Sequence, residues 1–201
     1  MASCRASHGG NATTFTDGYL TVVPGYWLLL LAIPAGLLIV RRGWDEERTW
    51  WALVALAHVT AVVALTIFPI PVAGQGYYRQ TRGLSEDNIV PFATIVSQLG
   101  HLSLNTVRQL AGNVLALMPL GLYGPALWPD LRKPRRFVPV AVAAAVSIEL
   151  AQLAGSVMEG FTYRVTDVDD AIMNATGAIL AFWIWRAWRR RAAGPTTPAE
   201  A

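Results

Sequence analysis

The chain has 201 residues, 54% of them apolar and only 14% charged, with eight tryptophans and a formal net charge of +3. Soluble domains usually carry about 25% charged residues, so the composition excludes an ordinary water-soluble globule and points to the lipid bilayer. The one cysteine, Cys4, excludes an internal disulfide.

Residues 1–20 are polar and lack the charged-then-apolar layout of a cleavable signal peptide. They read as an extracytoplasmic N-terminus, with the first span acting as an uncleaved signal. Residues 21–69 hold two stretches, 21–40 and 50–69, of about the 20 residues a helix needs to cross the hydrocarbon core. The segment 70–108 begins too polar to span. Its middle, NIVPFATIVSQLG, is too short to cross and predicts a re-entrant or interfacial piece of an outer loop. Three further spans follow at 109–128, 137–157 and 168–188, and the small, Pro-bearing tail 189–201 reads as disordered. The expectation is an all-α, polytopic membrane protein of five transmembrane helices.

Lys and Arg set the orientation. Arg41, Arg42 and Arg48, then Arg132, Lys133, Arg135 and Arg136, then Arg186, Arg189, Arg190 and Arg191 fall on one side, and they are most of the 16 cations. That side is expected to be cytoplasmic, with the N-terminus outside and the C-terminus inside. These anchoring loops account for the basic balance, so nucleic acid is not an expected partner and the lipid bilayer is. The tryptophans sit mostly near predicted span ends, as interfacial anchors do.

Polar residues within the spans share one depth. Asn113 lies about 6 Å in from the outer end of its helix, Glu149 and Gln152 about 8–12 Å, and Asp170 and Asn174 about 4–11 Å. Asp167, Asp170, Asn174 and Gly177 follow one helical stripe, and Glu149 and Gln152 are one turn apart. Ionisable groups in a span cost several kcal/mol unless they face protein or water, and by default they mark a functional site. Turning both stripes inward builds a polar pocket open to the outside, with Arg164 above it, suited to pair with Asp167 or to hold a phosphate or carboxylate. Asp169, about 100° around the helix from Asp170, is expected to cap the helix or face headgroup water. His58, among apolar neighbours, reads as a hydrogen-bonded packing residue. Pro119 and Gly121 are expected to shape the third span, and Gly177 to allow close helix approach.

Four pieces carry a family resemblance: NIVPF at 88–92, NVLALMPLG at 113–121, SIELAQL at 147–153 and RVTDVDDAIMNATG at 164–177. In this order and spacing they resemble the VanZ-like family of bacterial membrane proteins, over a core spanning 88–188. Val165 and Leu117 depart from the usual Ser and Phe, and Ala145 stands where many members have Ser. The resemblance implies a multi-pass protein of the bacterial plasma membrane, with Asn88, Pro91 and Phe92 in a loop over the pocket. It also implies a link to susceptibility to teicoplanin-type glycopeptide antibiotics. A lipid-linked cell-wall precursor or a lipoglycopeptide are the expected partners. The alternative is a membrane enzyme acting on a lipid or isoprenoid headgroup, with Glu149, Asp167 and Asp170 as acid and base or as ligands to Mg²⁺. No other cofactor is evident.

Overall fold

The computed structural model describes residues 22–68, 70–71, 87–159, 162 and 164–192. The expected outer N-terminus, most of the first part of the long loop and most of the tail lie outside these residues.

Seven α-helices make up most of the described chain: α1 (Leu29–Arg41), α2 (Glu46–Thr66), α3 (Ala93–Gly100), α4 (Leu104–Ala116), α5 (Met118–Leu127), α6 (Pro134–Glu159) and α7 (Val168–Ala192). Two-residue strands β1 (Val22–Val23) and β2 (Ile70–Pro71) pair antiparallel, a small addition to the all-α expectation.

Local chemistry sets the helix starts. The Asp45 carboxylate accepts the Arg48 N–H at 2.8 Å, and Glu46 and Glu47 follow in the first turn of α2. This answers an otherwise unpaired donor and complements the helix dipole. Ser103 does the same for α4, accepting from the Thr106 N–H at 3.1 Å. Gly43, at φ +65°, makes the turn from α1 to α2 in a conformation that costs other residues energy.

Among the described residues, three rods are long and apolar enough to cross a membrane: Glu46–Thr66, Leu104–Leu127 (α4 and α5 together) and Pro134–Met158. The first expected span is shorter, an apolar helix over Gly25–Arg41. The last, α7, is long enough but carries Asp169 and Asp170 at one end and Arg189, Arg190 and Arg191 at the other.

Its position explains the tolerance. Helix α7 lies in the middle of the bundle, packed against α4, α5 and α6, so protein rather than lipid meets its polar atoms. Phe182 of α7 stacks on Phe137 of α6 with ring centroids 4.4 Å apart, and both are fully buried. Tyr123, Ala141, Ala145 and Ala178 complete the same core. Without a hydrophobic drive between helices in lipid, small residues and close packing supply the cohesion. A Cβ on Gly177 would strike the Val114 carbonyl, and one on Gly121 would strike the Ala178 carbonyl and the Phe182 nitrogen. Helix α1, in contrast, packs chiefly on α2 and exposes Leu30, Leu31, Ile33, Leu37 and Leu38. Trp185, expected at the interface, is instead buried against Phe182.

The third rod is broken between α4 and α5. Leu117 leaves helical geometry at φ −106°, ψ 3°, and Pro119 follows within the first turn of α5. Leu120 donates to the Leu117 carbonyl rather than to that of Ala116. The freed Ala116 carbonyl is taken by His58 Nε2 of α2 at 2.6 Å. A carbonyl only accepts, so Nε2 holds the proton and Nδ1 accepts from the Tyr123 hydroxyl at 3.1 Å. His58 thus repairs a helix break, as backbone at membrane depth requires.

Candidate functional site

The bundle has two chemically different ends. The ends of α2 and α6 and the starts of α4 and α7 carry the acids, amides and the 88–100 segment. The opposite ends carry most of the arginines, together with Asp45, Glu46, Glu47 and Asp130.

At the acidic end, Asp167 caps its own helix, its Oδ1 accepting the Asp169 N–H at 2.9 Å. The same oxygen accepts from Asn88 Nδ2 at 2.8 Å. Asn88 also bridges to this strand of chain through its backbone, donating to the Thr166 carbonyl and accepting from the Val168 N–H, each at 2.9 Å. Glu149, buried on α6, accepts the Asp167 N–H through Oε2 at 3.1 Å. Asn113 of α4 donates through Nδ2 to Asp170 Oδ1. The structure therefore links Asn88, Asn113, Glu149, Asp167 and Asp170 across α4, α6, α7 and the loop. Asp170 shares its surroundings with the carboxylates of Asp167, Glu149 and Asp169.

Asp169 corrects the expectation that it caps its own helix or faces headgroup water. It is fully buried, and its Oδ1 accepts from the Phe92 N–H while Oδ2 accepts from Thr94 at 2.8 Å and Ile95 at 3.0 Å. It therefore caps α3, a helix 75 residues away in sequence. The carboxylate answers the free N–H groups and positive dipole at that helix's start. Phe92 is the only non-glycine at positive φ (68°) among the described residues, and its side chain is exposed. Pro91 forms the turn before it.

Two expected members point elsewhere. Gln152 donates through Nε2 to the Thr66 carbonyl at 3.1 Å. Arg164 donates to the Phe68 carbonyl at 2.6 Å and the Leu65 carbonyl at 3.2 Å, and the Arg164 carbonyl accepts from Ser156 Oγ at 3.0 Å. Both long side chains thus cap the last turn of α2, where carbonyls lack intrahelical partners, rather than extending the acid layer.

Some acceptors remain open. Asn174 is 3% exposed, and its Oδ1 has no partner among the described residues. Glu149 Oε1 and Asp170 Oδ2 likewise accept no hydrogen bond among those residues. No group of three or more His, Cys, Asp or Glu side chains among the described residues is placed to hold a metal ion.

No curated protein and no solved structure matches the chain significantly. The VanZ/LLP1 family model matches residues 54–189, and the chain belongs to that family.

Proposed function

We propose that this VanZ-like membrane protein crosses the bacterial plasma membrane five times, N-terminus outside, with the acidic end of the bundle facing outward. There it binds the polar head of an amphiphile and so modulates susceptibility to teicoplanin-type glycopeptides. The observation that carries the reading is the incomplete network. A purely structural clamp closes its buried polar groups, whereas Asn174 Oδ1 is buried and unpaired. The open atoms of Asn174, Glu149 and Asp170 are all acceptors. They favour a head rich in hydroxyl, amide and ammonium donors, such as a lipid-linked cell-wall precursor or a lipoglycopeptide. Arg164, used on carbonyls of α2, gives an anionic head less support.

A membrane enzyme with Glu149 and Asp170 as acid and base is the second reading, supported by the same two open carboxylate oxygens.

The test is teicoplanin susceptibility of a sensitive host expressing wild type, Asp170→Asn or Asn174→Leu at matched membrane levels. Protection by wild type that either variant loses supports the outer site. Equal protection by all three makes the network structural. No protection by wild type sinks the resistance reading and turns attention to the headgroups of extracted lipids.

A further inference from the structure

The arginine-rich end holds a second built site, unconnected with the acid network. A cavity of about 430 Å³ opens between the start of α2, the α5–α6 connection and the end of α7. Arg48, Arg132 and Arg189 line it, one from each of these places, together with Trp51. Beside it lies an apolar cavity of about 180 Å³, lined by Trp44, Ala52, Ala55 and Trp128. Arg48 and Leu127 border both. A cationic chamber joined to a greasy one is the arrangement an anionic amphiphile requires.

Membrane anchoring alone accounts for arginines at a bilayer surface. It does not account for how these three are held. The Arg48 guanidinium lies 4.5 Å over the Trp44 ring, Arg132 is fixed by its Nε donating to the Pro125 carbonyl at 3.0 Å, and Arg189 stands 5.9 Å from the Trp185 ring. These contacts hold the guanidinium groups in place and engage one N–H donor, Arg132 Nε, among the three. Asp45 and Glu47 line the same cavity, yet neither forms an ion pair with any of the three. Asp130 with Arg136 is the one salt bridge among the described residues. Asp45 instead caps α2. The forks therefore stay open to a ligand, and a phosphate takes two parallel N–H bonds from each fork it meets. Basic pockets between helices at a membrane surface bind phospholipid heads in this manner.

We propose that this cavity binds an anionic phospholipid, its phosphate held by Arg48, Arg132 and Arg189 and the start of an acyl chain lying against Trp44, Ala52 and Ala55.

The experiment is native mass spectrometry of the full chain, released from detergent after titration with dioleoyl phosphatidylglycerol or dioleoyl phosphatidylcholine. Phosphatidylglycerol is expected to bind at least about tenfold more tightly. The combined Arg48→Gln, Arg132→Gln and Arg189→Gln variant should lose that preference. The single Arg189→Gln variant, whose only contact is a ring face, should lose part of it without unfolding. A charge-matched control, Arg135→Gln with Arg190→Gln and Arg191→Gln, should keep it. Equal loss in the control would show a diffuse charge effect and overturn the site. So would equal binding of both lipids to wild type. Full displacement of phosphatidylglycerol by millimolar inorganic phosphate would assign the cavity to a soluble phosphate and overturn the lipid.

Discussion

Replacing Asp169 with Asn probes how the 88–100 segment is held. The carboxylate serves three backbone N–H groups, Phe92 on one oxygen and Thr94 and Ile95 on the other. An amide has one oxygen, so its better orientation keeps Thr94 and Ile95 and turns an NH₂ against Phe92. One charge-assisted bond is lost, about 1.5–3 kcal/mol, and the other two fall to neutral strength, about 1 kcal/mol each. Against this, Phe92 can leave its left-handed conformation and recover about 1–3 kcal/mol. The net weakening is about 2–3 kcal/mol, or ~30- to 150-fold in the opening equilibrium. Hydrogen exchange followed by mass spectrometry reads it directly. Amides in a peptide covering 88–100 should exchange faster by that factor, while those in 134–148 of α6 stay unchanged. Unchanged exchange in 88–100, or equal acceleration in both peptides, would refute the reasoning.

Three further outcomes follow from close contacts. Gly177→Ala should abolish the monodisperse folded species on size-exclusion chromatography in detergent, because the new Cβ meets the Val114 carbonyl and neither backbone can yield. Gly112→Ala, with open space around it, should elute as wild type. His58→Ala should lower the melting temperature by an amount corresponding to about 1–3 kcal/mol, because the Ala116 carbonyl is left unpaired, and Tyr123→Phe should cost less. Arg164→Gln should speed exchange at the C-terminal turn of α2 by about tenfold, since two orphan carbonyls lose a cationic donor.

The sequence conveyed depth better than direction. Helical spacing placed Asn113, Glu149, Asp167 and Asp170 at one level, and the bundle joins them there because polar groups at that level have few other partners. It could not say that Gln152 and Arg164 turn to the end of α2. Both are long, and both find carbonyls that a hydropathy profile does not display. Asp169 was hardest to read, since a helical wheel shows only which residues share its own helix's face. The partner of Asp169 is the start of a short helix delivered by a distant loop. The available signal was the sequence NIVPFAT, where a turn before an apolar helix with no Ser, Asp or Asn at its immediate start leaves N–H groups in need of an outside acceptor. Helix α7 looked weak on hydropathy for a related reason. Hydropathy measures readiness to meet lipid, and this helix meets mostly protein.

That central placement also constrains the order of assembly. Among the described residues, the partners of α7 and its cap Asp167, from Asn88 through Asn113 and Gly121 to Glu149, precede it in the chain, so the earlier helices are made around a gap. Until α7 and its cap Asp167 are in place, the Glu149 carboxylate and the Asn113 amide lack the partners they have in the folded bundle, and the face of α5 at Gly121 stands open. A ribosome stalled before residue 167 would therefore hold helices able to insert but unable to lock. Helix α7 acts as a keystone, converting a loose set of segments into a packed bundle.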